Sequence, residues 1–488
     1  MNIRRERLLN GEVNAYLIPF TSNEELTISI EDHVEKAVNY LLSSNELGKE
    51  CGACINKSIF TGGEFKELVL VNLGDGTASN REIFLAMAAA LKKCKSLKTK
   101  QVAVFLDNAE EITCNPDVAK VICELPYLVG YQFNAYKSVP VICAMEEVCF
   151  VTKMDGFEEI MQEAECVASS VLKARDLVNH PSCFMTPLQL AKETVAIGNE
   201  CSIEVEIFDK EEIEKLEMGA FLAVSRGAVD EPRLIVMRYR GGKVGDAPVA
   251  LIGKGVMFDS GGYSLKSKMA TMHDDMGGAA AVIGAIEAIA KQKLPVNVVA
   301  VVAACKNMVS GDAFVPGDII KSMNGKMIEM LNSDAEGRLT LADAVTYAIR
   351  KEGAEKIIDI ATLTGAASGA VGKKSAAMIA DDEELVAEIT EASSVSCEKV
   401  WRLPADKELS GAIRSEVADI KNSNPNNPVG GGVILGGLFI REFAEGKPWA
   451  HIDMAPVNWL AEGNSYCMKG ATGYGVSLLY ETVKIMAR

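Results

Sequence analysis

VALIGKGVMFDSGGYSLK, residues 249–266, begins as an unbroken apolar run and then turns glycine-rich and charged. Residues 249–253 read as a buried strand, short and closed by glycine. Past the loop, Ala279, Ile283, Ile286 and Ala290 recur at helical spacing within residues 276–290, which predicts a helix with one buried face. Strand, polar loop, then amphipathic helix is the unit of a parallel sheet, because parallel strands need a crossover between them. The alternation continues in both directions. Residues 296–304, 356–361 and 449–452 are strand-like and residues 341–350 helix-like; upstream, residues 13–20, 67–73 and 101–107 read as strands and 80–94 as a helix. An α/β fold is expected.

The two blocks are joined by Phe157, Ile160, Met161, Ala164, Ala168, Val171 and Leu172 at helical spacing, with no Gly or Pro from residue 157 to 179 and Pro181 as the stop. A helix linking two domains fits this pattern. The expected organisation is a smaller N-terminal α/β domain over residues 1–154, a linker helix over 155–175, and a larger α/β domain over 176–488. The larger domain should carry a mixed, mostly parallel sheet covered by helices. Ligands in such sheets bind beyond the carboxyl ends of the strands, so the loops there are where chemistry is expected.

Composition narrows what that chemistry is. The 488 residues carry 67 acidic against 50 basic side chains, a net charge of −17, which repels phosphate backbones and disfavours nucleic acid as a partner. Apolar runs stay short of the ~18 residues of a membrane span. No apolar stretch follows Arg4, Arg5, Glu6 and Arg7, so no secretory signal is visible. The 13 cysteines are scattered and odd in number, and read as reduced thiols of a cytoplasmic protein. Cys51-x-x-Cys54 has no second pair and is weak as a zinc motif. The four histidines, His33, His180, His273 and His451, lie far apart, which excludes an H-E-x-x-H site. Neither a nucleophile elbow nor a phosphate-binding P-loop occurs. Carboxylates, lysines, cysteines, or metals held by them, must do the work.

Two loops supply such groups. Residues 253–262 hold Lys254 and Asp259, followed by Lys266 and then Asp274-Asp275-Met276-Gly277-Gly278; residues 332–339 read NSDAEGRL and hold Asp334, Glu336 and Arg338. Crowded carboxylates repel and raise one another's pKa unless cations intervene. Oxygen-rich sites poor in histidine suit hard or borderline divalent ions, and a carboxylate-bridged metal pair ~3.5–4 Å apart is a common device for hydrolysis. Structural readings exist for each piece. Asp334 could cap the following helix, Asp259-Ser260-Gly261-Gly262 could be a turn, and Asp274-Asp275 could complement a helix dipole.

NSDAEGRL resembles the N-T-D-A-E-G-R-L signature of the leucyl aminopeptidase family of two-metal cytosolic exopeptidases, and GKGVMFDSGGYSLK with DMGGAA is similar to that family's other metal-binding segment. Residues 174–179, 219–224, 232–236, 361–366 and 449–453 extend the resemblance over about residues 174–480. It implies that residues 176–488 are a metallopeptidase catalytic domain. Asp259 and Glu336 would contact both metals, Asp334 one, and Asp275 with Lys254 the other. Lys266 would polarise the scissile carbonyl, and Arg338 would hold a bicarbonate ion as general base. Met272, Thr362, Leu363 and Gly365 would line the pocket for the first residue. The metals implied are zinc or manganese, then magnesium or cobalt.

The activity implied is release of N-terminal, leucine-like residues from peptides by a homo-hexamer, a dimer of trimers, with no membrane partner. A cysteinylglycine or dipeptide hydrolase using the same site, and a DNA-binding accessory protein, are the alternatives. Three departures stand out. Ser333 replaces threonine, Tyr263 replaces a smaller aliphatic residue, and the segment from Lys266 to Asp275 is two residues shorter than is common in the family. None removes a ligand.

Overall fold

The computed structural model describes residues 1–21, 32–43, 46–424, 426 and 429–488. The strand opening at Val249 does not stop at Gly253 but runs to Asp259. The glycines that look like a loop serve close packing instead. A Cβ on Gly253 would lie 2.5 Å from the carbonyl oxygen of Gly278 and 2.7 Å from the nitrogen of Ala279. The helix Gly277–Lys291, buried from Gly277 to Ala290, therefore lies directly on the strand. Lys254 is consequently a strand residue, held by the sheet rather than by a loop.

The chain divides into two compact units. One comprises Met1–Leu172, Ser394–Cys397 and Ala461–Lys469; the other comprises Lys173–Ser393, Glu398–Leu460 and Gly470–Arg488. The helix Phe157–Asn179 contains the division point.

In the first unit a six-stranded sheet runs in the order Asn2–Glu6, Glu147–Val151, Gln101–Phe105, Ala15–Phe20, Glu64–Asn72, Cys54–Thr61. Its pairings are parallel except the last, the Cys54–Thr61 hairpin with Glu64–Asn72. The helix Asn80–Ser96 begins with a reciprocal cap between Ser79 and Glu82, which satisfies two amides that the first turn leaves bare. Tyr16, Ile18, Val34, Val38, Leu68 and Leu70 belong to one core of this unit.

The second unit is built on an eight-stranded mixed sheet, ordered Val400–Leu403, Ala376–Ala380, Trp449–Asp453, Lys356–Ala361, Val249–Asp259, Asn297–Asn307, Arg233–Arg240, Glu204–Phe208. The four strands from Trp449–Asp453 to Asn297–Asn307 are mutually parallel, with antiparallel pairings on both sides of them. Helices Gly277–Lys291 and Gly337–Arg350 both pack against this sheet. The core runs through Val236, Ile252, Val301, Leu339, Val345 and Trp449. The fold is thus α/β, with largely parallel sheets flanked by helices. Because the four central strands share a direction, Asp259, Asn307, Ala361 and Asp453 all end them at one edge.

Candidate active site

Four chain segments converge at that edge. Lys254 projects from the middle of its strand, and its ammonium is 2.7 Å from Asp275 Oδ1 and 2.8 Å from Glu336 Oε1. It also donates to the carbonyl of Thr362 at 2.8 Å. Gly337 makes room for its stem, since a Cβ there would meet Lys254 Cε at 2.5 Å. Lys266 reaches Asp259 Oδ2 at 2.8 Å and Asp334 Oδ1 at 2.5 Å. Asp259, Asp334 and Glu336 each present an oxygen, all within 4.8 Å of one another. The loop that carries Lys266 turns through Gly261 at φ +83°, where a side chain would strain the backbone and a Cβ would stand 2.6 Å from the Ser264 carbonyl.

The loops lock onto each other through polar side chains. Ser333 Oγ donates to the Gly261 carbonyl at 2.7 Å and accepts from the Ser264 amide at 2.7 Å. The hydroxyl is what these bonds need, so serine serves where threonine was expected. Asn307 donates to Asp259 Oδ1 at 2.8 Å and to the Ser333 carbonyl at 2.9 Å. Asn307 belongs to no motif; a polar residue closing an apolar strand at the carboxyl edge is its only signal in the sequence. Glu336 stands at the N-cap position of the helix Gly337–Arg350, with no side-chain capping bond. Its carboxylate is directed at Lys254 instead, and Asp334 does not cap that helix either.

Arg338 follows in the first turn. Its Nη1 donates to the Asn422 carbonyl at 2.7 Å, while its Nε is buried without a partner. Thr362, Leu363 and Gly365 share the loop after the strand Lys356–Ala361. Thr362 donates its hydroxyl to Asp275 Oδ1 at 2.7 Å, Leu363 is half-buried against the core, and Gly365 opens onto free space. Met272 is half-buried in the single turn Met272–Asp274, which packs against the strand Val249–Asp259.

The electrostatics ask for a cation. Among the described residues, Asp259, Asp275, Asp334 and Glu336 form their ion pairs with Lys254 and Lys266, and Arg338 adds a third positive charge beside Glu336, so four carboxylates still exceed three cations. Burial alone would push the Lys254 ammonium down in pKa, but Asp275, Glu336 and Asp259 more than reverse it and hold it above its ordinary value. Lys266 behaves likewise, burial pulling it down and Asp259 and Glu336 raising it further. Burial pushes the Asp275 carboxyl upward, and Lys254 pulls it back. Asp275 Oδ2 and Glu336 Oε2 are buried and accept no hydrogen bond. Buried carboxylate oxygens without donors are rare in folded proteins, and a divalent ion would satisfy both. The donor set fits such an ion.

A carboxylate cluster threaded by two lysines at the carboxyl edge of a largely parallel sheet is the kind of centre that metal-dependent α/β hydrolases use. Two sequence models narrow the class. The catalytic domain of the cytosol aminopeptidase family matches residues 172–480, and that family's N-terminal domain matches residues 20–140. The chain belongs to the cytosol aminopeptidase family, and it is a metal-dependent aminopeptidase, a hydrolase of peptide bonds.

Among its relatives, the "Probable cytosol aminopeptidase" of Clostridium perfringens is 44% identical over 487 residues, covering 96% of each chain. That of Clostridium tetani is 48% identical over 424 residues, covering 86% of this chain and 88% of its own. A mutant of tomato leucine aminopeptidase superposes with a TM-score of 0.87 at 34% identity, covering 99% of this chain and 96% of that one. The bottromycin maturation enzyme BotP, in complex with Mn, has a TM-score of 0.84 at 27% identity, covering 97% and 100%.

Proposed function

We propose that the chain removes N-terminal residues, leucine-like ones first, from peptides at a two-metal centre held by Lys254, Asp259, Asp275, Asp334 and Glu336. The observation that carries this reading is the meeting of Asp259, Asp334 and Glu336 oxygens within 4.8 Å. Asp259 and Glu336 would contact both metals, Asp334 would contact one, and Asp275 with Lys254 the other. Bound there, the ions supply a water that is nucleophilic at neutral pH and a Lewis acid for the carbonyl.

The side chains do the rest. Lys254 would have to give up its proton to serve as a ligand, and a metal would then take the place of its ammonium beside Asp275 and Glu336. Lys266 aims a positive charge at the carbonyl oxygen as negative charge develops there. Arg338, with a buried Nε in want of an acceptor, holds bicarbonate as the general base. Met272, Thr362, Leu363 and Gly365 form the wall for the first side chain.

Zinc or manganese are the metals we assign, with magnesium or cobalt as substitutes; the manganese complex of BotP supports the second. The likeness to tomato leucine aminopeptidase supports leucine. We place the peptidase chemistry in residues 176–488, with an N-terminal domain over 1–154 and a linker over 155–175, in a cytoplasmic hexamer of two trimers. The test is release of leucine from Leu-Gly, abolished by a chelator and restored by Mn²⁺ or Zn²⁺, with two metals per chain by elemental analysis. Chelator-resistant release, or one metal per chain in the fully active protein, would overturn it.

A further inference from the structure

Asp453 ends the strand Trp449–Asp453 and is completely buried. The neighbouring strand Lys356–Ala361 ends level with it, Ala361 lying opposite Asp453. Beyond Ala361 the chain enters the loop 362–366, and Asp453 fastens that loop. Its Oδ1 accepts from the amide of Leu363 at 3.1 Å and its Oδ2 accepts from the hydroxyl of Thr364 at 2.6 Å. Its own side of the edge is tied as well, through the amide of Ala455 at 3.2 Å to Oδ1.

The residue just before this clamp is Thr362, and both of its oxygens act on the cluster. Its carbonyl takes one hydrogen of the Lys254 amine at 2.8 Å, and its hydroxyl donates to Asp275 Oδ1 at 2.7 Å. A neutral lysine amine has two hydrogens and one lone pair. Fixing a hydrogen on the Thr362 carbonyl limits the directions in which the lone pair points. In the same way, occupying Asp275 Oδ1 leaves Oδ2, the oxygen without a donor, for a cation.

We infer that Asp453 is a positioning residue for the cation site: by holding Leu363 and Thr364 it sets Thr362, and Thr362 aims Lys254 and Asp275. The inference rests on the assignment of Lys254 and Asp275 as metal ligands. Partners one step removed from a metal, as Thr362 would be, are worth about 10–100-fold in affinity or activity, and Asp453, one step further out, is expected at the lower end of that range. A carboxylate that merely satisfied the strand end would move stability and leave metal affinity alone.

The decisive variant is Thr364→Val, which removes one hydroxyl at nearly constant volume and leaves the strand end packed whatever becomes of Asp453→Asn. Mn²⁺ and Zn²⁺ affinities are measured by chelator competition on purified protein, beside the melting temperature of the metal-free form and Asp275→Ala as control. Thr364→Val should bind metal more weakly, by about 10-fold, the lower end of the range for partners of metal ligands, while its metal-free form melts within a few degrees of the wild type, and Thr364→Ser should recover the affinity. Wild-type affinity in Thr364→Val, with metal lost from Asp275→Ala, overturns the positioning role and leaves the ligand assignment standing. Full metal in Asp275→Ala removes the ligand assignment, and the positioning role falls with it.

Discussion

Lys266 Nζ rests 2.8 Å from Asp259 Oδ2 with its side chain 23% exposed, whereas Lys254, in contact with the same cluster, is 2% exposed. One lysine is sealed into the sheet; the other is bound to a carboxylate yet open to an incoming molecule. That difference in access suits the roles proposed for them, a metal ligand for Lys254 and a group able to meet substrate for Lys266.

Lys266→Ala should therefore lower kcat more than it changes KM, because its contact with the carbonyl oxygen strengthens as charge develops. The loss should be about 10²–10³-fold, as for a removed oxyanion donor. Steady-state kinetics on Leu-Gly decide this, and a pure KM effect would place Lys266 in ground-state binding.

Glu336→Ala and Asp334→Ala should each remove at least one metal and nearly all turnover, since each strips an oxygen from the shared cluster. Elemental analysis and activity are read on the same preparation. Two metals and near-normal rates in Glu336→Ala would show that the cluster is not the catalytic centre.

Gly337→Ala should impair metal binding without touching any charged group. The added methyl would meet Lys254 Cε at 2.5 Å, inside ordinary contact distance, so the lysine stem must move. Weaker Zn²⁺ binding in chelator competition is the expected result; unchanged binding would mean that the stem yields without disturbing the amine.

Peptides with a blocked amino terminus should be inert, because the free amine's natural partners in this site are a metal and Asp275. Acetyl-Leu-Gly is the probe, followed by mass spectrometry. Its cleavage would point to an endopeptidase or amidase.

The buried pair of His451 and Asp359 sets a dependence of stability on pH. Their Nδ1 and Oδ1 are 2.5 Å apart, and both side chains are fully buried. Burial pulls the imidazole's pKa down, but Asp359 outweighs it, so the folded value stands above the ordinary one. Folding then favours the protonated ring. Its contribution is complete below the unfolded pKa of about 6.5 and is lost as pH rises through the folded value. Denaturation midpoints of the metal-free protein should fall as pH rises above about 6.5, and the fall should be shallower in His451→Gln, where buried carboxyls such as Asp343, pushed up to about 7 by burial, still contribute. Parallel profiles for the two proteins would refute the linkage.

The sequence carried the cluster well and its supports poorly. Lys254, Asp259, Lys266, Asp275, Asp334, Glu336 and Arg338 lie in two short motifs whose chemistry is local, so spacing and residue type sufficed. Asn307 and Asp453 join them only through long-range register, and a single polar residue at the end of an apolar run has no local signature. Strand boundaries erred for a related reason. Glycines at residues 253 and 255 read as a loop, but they mark close approaches, Gly253 to the helix Gly277–Lys291 and Gly255 to the neighbouring strand Asn297–Asn307. The edge strand Asn2–Glu6 has no apolar run to announce it, because its arginines neutralise neighbours rather than fill a core; Arg4 reaches Glu147 at 2.8 Å across the parallel pairing.

The order of the central strands also fixes when, during synthesis, peptidase activity can first exist. Trp449–Asp453 is inserted between Lys356–Ala361 and Ala376–Ala380, so the edge that presents the cluster is completed by nearly the last strand to leave the ribosome. Asp259 is made some 200 residues earlier, a lead of about 10–40 s at ordinary elongation rates. Throughout that interval the nascent chain holds acidic ligands without the strand that finishes the sheet. The edge on which the candidate site stands is thus among the last parts of the sheet to be finished.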